Sequence, residues 1–131
     1  MPVVILSSGM EPIIRALLTK LIGPKADAIP IVSNDVQIHP DGSWRIVFRD
    51  ESSYSHKDAT DLGFGHDKSR AIRPYAQLPE DNRPILVYCG DGVSDIPAAK
   101  ETDLLFAKKG RDLVTHCLME DVPFYPFDVR P

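Results

Sequence analysis

Cysteine is scarce in this chain, and the little there is forms no pattern. Cys89 and Cys117 stand apart without C-x-x-C spacing. That argues against a disulfide framework and suits a reducing setting, the cytoplasm first and the nucleus also. Long apolar runs are missing as well. None approaches the roughly 20 residues of a membrane span, and the opening stretch MPVVILSSGM has neither the basic start nor the apolar length of a signal peptide. Basic charge is not in excess: the formal net charge is −4, which gives no footprint for nucleic acid. Repeats and low-complexity tracts are absent. The 12 prolines are dispersed, so they punctuate elements and build no linker.

A chain of 131 residues suits one domain, residues 1–131, able to bury roughly two-thirds of its unfolded surface. Residues 3–7, VVILS, are apolar throughout, as expected of a strand in a parallel sheet covered on both faces. Ile13, Ile14, Leu17, Leu18, Leu21 and Ile22 then recur at helical spacing. Ser8 and Glu11 read as a capping box, and Gly23-Pro24 as the stop. Over residues 29–49 the period changes to alternation, with HPDGSW between Val36/Ile38 and Trp44/Ile46/Phe48, which predicts an antiparallel hairpin with one wet face. Trp44 and Phe48 are expected to pack beneath it, the other reading being an exposed partner surface. Residues 50–66 are polar and aperiodic, hence a loop. DKSRAIRPYAQL predicts a short helix interrupted near Pro74.

PILVYCGDG repeats the opening design of apolar strand, small-residue turn and helix, the helix here being SDIPAAKET. DLLFA reads as a third buried strand. RDLVTHCLMED reads as a helix with Leu113, Val114, Cys117 and Leu118 on one face, and VPFYPFDV as a final apolar segment. This alternation predicts an α/β layered fold with a mainly parallel sheet. Cys89 and Cys117 are expected in the core. His39, His56, His66 and His116 lack ligand spacing and are expected in surface or loop positions. Lys108, Lys109 and Arg111 read as a solvated basic step.

Open parallel sheets bind ligands beyond the carboxyl ends of their strands. Ser7-Ser8-Gly9 and Gly90-Asp91-Gly92 stand at two such ends, each before a helix whose N–H groups favour an anion. A hydroxyl, free amides and carboxylates are the parts of a phosphate-plus-Mg²⁺ site, and Mg²⁺ prefers one or two carboxylates together with substrate oxygens. Turn and cap chemistry alone is the competing account of Asp91, Asp95 and Ser8. A solvated side chain is the competing account of Lys68.

GDGVSD resembles the fourth motif, GDGxxD, of the haloacid dehalogenase (HAD) superfamily phosphatases. VVILSSGM resembles their second motif, and Lys68 in GHDKSRAI falls where the third-motif lysine would. The likeness points to the phosphoserine-phosphatase-like branch, near fungal methylthiopentenyl-phosphate and phosphocholine-type phosphatases. It implies a Rossmann-like three-layer core with a β-hairpin insertion, and a Mg²⁺-dependent phosphomonoesterase acting on a small phosphorylated metabolite, with no nucleic acid or membrane partner. By the same resemblance Ser7, Ser8, Gly9, Lys68 and Ser94 would hold the phosphate, and Asp91 and Asp95 the metal. Lys68 and Asp95 would be catalytic, Asp95 by fixing Lys68 or a metal-bound water.

The family's first motif, DxDx[TV], which supplies the aspartate nucleophile, is not in this sequence. The chain therefore resembles the C-terminal part of such a phosphatase, without the first strand and cap. Two expectations follow. The VVILS and ILVYC strands pair with each other, or a second chain (another copy or a partner) fills the slot between them. And the chain is either the core of a phosphatase or a non-catalytic binding remnant of one. A receiver or nucleotide-binding domain is disfavoured, since neither GxGxxG nor GxxxxGK[ST] occurs.

Overall fold

The structure, a computed structural model, describes residues 1–49 and 67–129. The predicted loop at 50–66, with His56 and His66, lies outside the described residues. The chain forms two compact units, Met1–His66 and Asp67–Pro131.

In the first unit β1 (Ile5–Met10) runs directly into α1 (Glu11–Ile22). The strand ends three residues later than predicted, and the helix has no Ser8–Glu11 capping box. Its N-cap is Met10, which makes no side-chain cap bond, and the Glu11 carboxylate instead accepts a hydrogen bond from Arg15 Nε at 3.0 Å. Pro12 in the first turn needs no N–H partner, so the start is tolerated without a polar cap. Gly23 ends the helix at φ +67, a left-handed value that favours glycine. Arg15 also donates to the carbonyls of Ala26 (2.6 Å) and Ile29 (3.0 Å), which fastens the 3₁₀ turn Gly23–Ala28 against the helix.

The predicted hairpin is present. β2 (Ile31–Ile38) pairs antiparallel with β3 (Trp44–Val47), and Val36 faces Ile46 while Ile38 faces Trp44. Asp41 Oδ1 accepts from the Ser43 N–H and hydroxyl, and Gly42 takes φ +83. β1 pairs in parallel only with residues 31–34 of β2. The hairpin tip thus runs past β1, and Ile38 and Trp44 remain 75% and 60% exposed. This corrects the expectation that Trp44 packs beneath the hairpin. With Met10, Pro12, Ile13 and Val36 they line an apolar groove of about 240 Å³.

In the second unit β4 (Val87–Gly90), β5 (Leu104–Lys108) and β6 (Tyr125–Phe127) form a parallel sheet in that order. Hence β1 takes β2 as its neighbour and β4 takes β5, each within its own three-stranded sheet. Helix α2 (Ser69–Ala76) packs on α3 (Ile96–Ala99), α3 on β4, and α4 (Asp112–Met119) on β5. Helix α2 continues through Pro74 and closes with Gln77 N–H donating to Arg73. A proline this near the end of a short helix costs a single N–H bond, so the expected interruption does not occur.

Ile72, Tyr88, Leu105, Ala107, Leu113 and Cys117 form the buried core of this unit. Leu105 and Ala107 alternate along β5, and in β4 Tyr88 is buried while Val87 and Cys89 are exposed. The strands were expected to be covered on both faces, and only one face is. Cys89 is accordingly a surface thiol, not a core residue. On α4, Leu113 and Cys117, four apart, point inward, whereas Leu118 is 70% exposed. His116 is half-buried on α4, with Nε2 sealed from solvent and without a hydrogen-bond partner among the described residues, which corrects its expected surface or loop position.

The strand–helix alternation and the parallel pairings fit a Rossmann-like core of mixed α/β class. Among the described residues no helix is long and apolar enough to cross a membrane.

Candidate active site

β4 ends at Gly90, and the chain turns through Asp91 and Gly92 into a 3₁₀ turn, Val93–Asp95, that leads into α3. The turn folds the Asp95 carboxylate back over the strand end. Its Oδ2 accepts the N–H groups of Asp91 (2.9 Å) and Gly92 (3.0 Å). Its Oδ1 accepts from the Lys68 ammonium and from the Tyr88 hydroxyl, the latter at 2.7 Å. Lys68 Nζ also reaches Ser94 Oγ at 3.3 Å.

Asp95 is 4% exposed and Lys68 8%. A buried ion pair persists only if its remaining lone pairs and protons are satisfied, and here both carboxylate oxygens carry two donors each. Burial pushes the Asp95 carboxyl upward. Hydrogen bonds from Lys68, the Gly92 N–H, Tyr88 and the Asp91 N–H outweigh it, and the net shift is downward. The Tyr88 phenol is pushed well up, first by burial and then by the Asp95 charge, so it remains a donor.

Lys68 comes from the start of α2. Asp67 Oδ1 accepts the Ser69 N–H (3.0 Å) and hydroxyl (2.6 Å), which fixes that helix end. Asp91 is exposed, and its carboxylate has no hydrogen-bond or ion-pair partner among the described residues. Its carbonyl accepts the Leu113 N–H at 3.1 Å and so ties the turn to α4.

The two acids of GDGVSD thus differ. Asp95 accepts four donors, two on each oxygen. Asp91 offers a free carboxylate. Among the described residues there is no group of three His, Cys, Asp or Glu side chains that could hold a metal ion. A Mg²⁺ ion bound here would draw one ligand from Asp91 and the others from oxygens elsewhere.

In the first unit residues 7–9 form an irregularity in β1. Between Leu6 and Met10 the strand advances four residues while β2 advances two, from Val32 to Asn34. Bulges of this kind re-aim side chains at strand rims. Ser7 Oγ accepts the Gly9 N–H at 3.0 Å. The buried Asn34 side chain donates to the Ser8 carbonyl at 2.9 Å and accepts the Arg49 N–H at 3.0 Å, so it holds the bulge open.

The sequence reading named Lys68, Ser94 and Asp95, and these three meet. It missed Tyr88, Asp67 and Asn34. Position parity in VYCG could have flagged Tyr88, because alternation places it one step before the exposed Cys89.

The family profile described as haloacid dehalogenase-like hydrolase matches residues 1–100. The chain belongs to the HAD family. Two curated fungal relatives are similar to it. Pdp3-interacting factor 1 of Schizosaccharomyces pombe is 58% identical over 127 residues, covering 96% of this chain and 51% of the relative. Polyol phosphate phosphatase PYP1 of Saccharomyces cerevisiae is 50% identical over 134 residues, covering 97% and 52%. The chain thus spans about half the length of these relatives.

Proposed function

We propose that the chain carries the phosphate-anchoring part of a Mg²⁺-dependent HAD phosphomonoesterase whose substrate is a small phosphorylated metabolite, a phosphorylated polyol being the first class to test. The observation that carries this reading is the buried Lys68–Asp95 pair, its carboxylate accepting four donors, adjacent to the free carboxylate of Asp91. Lys68 would neutralise charge on the phosphoryl group, assisted by the Ser94 hydroxyl. Asp91 would hold the Mg²⁺, whose contribution is to offset phosphoryl charge. Asp95 would act by positioning Lys68 and the turn. Within the first unit, the Ser7 hydroxyl at the irregular end of β1 would donate its proton to an anionic oxygen while its Oγ accepts the Gly9 N–H. The similarity to a relative named for polyol phosphate hydrolysis supports the substrate class.

A p-nitrophenyl phosphate assay with and without Mg²⁺ tests this. Turnover that requires Mg²⁺ and is abolished by Asp91→Ala supports it. Turnover that Asp91→Ala leaves unchanged contradicts it. A second reading, a binding module without turnover, is favoured by the lack of a DxDx[TV] motif in these 131 residues. Removing a catalytic nucleophile costs on the order of 10⁶-fold in rate. Phosphate binding without hydrolysis would select that reading.

A further inference from the structure

Asp95 Oδ1 is shared. The Lys68 ammonium and the Tyr88 hydroxyl both donate to it, while the two backbone amides hold Oδ2. Tyr88 comes from the middle of β4 and is 9% exposed, so its ring is fixed by packing and its hydroxyl has a set direction. An ammonium has three N–H donors. One goes to Asp95 and one to Ser94, and the third has no partner among the described residues. An oxygen that already accepts from a phenol binds a second donor less strongly, because the two donors compete for the same electron density.

We propose that Tyr88 is a positioning residue which, by sharing Asp95 Oδ1, keeps the Lys68 ammonium from being fully engaged by Asp95 and so available to a phosphoryl anion. This rests on the reading of Lys68 as the phosphate anchor. Without the phenol, Lys68 would take Oδ1 alone and be held more tightly. Removing the ring hydroxyl withdraws one neutral hydrogen bond, and the expected loss of anion affinity is about five-fold.

The test is calorimetric titration of inorganic phosphate into the whole chain and three variants. Tyr88→Phe is expected to bind phosphate about five-fold more weakly, and Lys68→Met to lose binding. The third variant, 3-fluorotyrosine at position 88, keeps the shape and donates more strongly, and it is expected to bind about two-fold more tightly. A purely structural tyrosine would not respond to fluorination, and this variant keeps the test open should Tyr88→Phe not fold. If Lys68→Met loses binding while neither Tyr88 variant changes it, the inference on Tyr88 is overturned and the phosphate-anchor reading stands. If the wild-type chain binds no phosphate, or Lys68→Met binds it equally well, the anchor reading fails and this inference with it.

Discussion

Gly90 and Asp95 lie against each other so closely that a Cβ on Gly90 would stand 2.7 Å from Asp95 Oδ2 and within 2.9 Å of Asp95 Cβ. Real Cβ contacts are essentially never that short. Gly90→Ala must therefore push the Asp95 carboxylate off the Asp91 and Gly92 amides. A destabilisation of about 1–3 kcal/mol is expected, as for overpacking elsewhere, together with loss of Lys68-dependent phosphate binding. Denaturant melts and a phosphate titration check the two effects.

Asp95 links stability to pH. Its folded carboxyl is shifted down, so the unfolded chain takes up a proton before the folded one does as pH falls. The stabilisation is present above the ordinary carboxylate range near pH 4 and is lost as pH drops through the lower folded value. Asp95→Asn is expected to be less stable at pH 7, by about 3–5 kcal/mol because Lys68 is left buried and unpaired. Its stability should then fall less steeply below pH 4 than that of the wild type. Urea melts of both from pH 2.5 to 7 measure this.

Arg83 joins three segments. Its Nε donates to the carbonyl of Ala76, the last residue of α2, at 3.0 Å, and its guanidinium forks onto Asp103 at 3.0 and 2.9 Å, whose Oδ2 also accepts the Leu86 N–H at 2.7 Å before β4. Arg83→Ala should cost about 1–2 kcal/mol, read from the urea midpoint. A conservative Arg83→Lys should recover only part of that, since an ammonium cannot make the fork.

The two thiols should separate cleanly. Cys89 is exposed, whereas Cys117 is 2% exposed and burial pushes its thiol pKa upward. A chromogenic disulfide reagent at pH 8 should consume Cys89 alone in the native chain and both after denaturation. Cys89→Ser should abolish the native reaction.

The readable part of this sequence was its alternation of buried strands and helices and the order of its three motifs. These depend on composition and spacing over many residues, which a single sequence displays. The hairpin was legible for the same reason: HPDGSW specifies its turn locally. What escaped were features decided by one residue's neighbours in space. Nothing in SSGMEP says that β1 bulges at residues 7–9, because the cause, Asn34, is 26 residues from Ser8. An apolar run such as ILVYC hides which face is covered, so Cys89 was placed in the core and Tyr88 overlooked. The two acids of GDGVSD are alike in sequence. Only the fold shows that one accepts from Lys68, Tyr88 and two amides while the other is free.

The most direct test of the account is calorimetric titration of inorganic phosphate, with Mg²⁺ present, into the wild-type chain and into Lys68→Met. The account predicts binding to the wild type that is lost in Lys68→Met. Binding that Lys68→Met leaves intact would contradict it, because the buried Lys68–Asp95 pair would then have no part in handling the phosphoryl group.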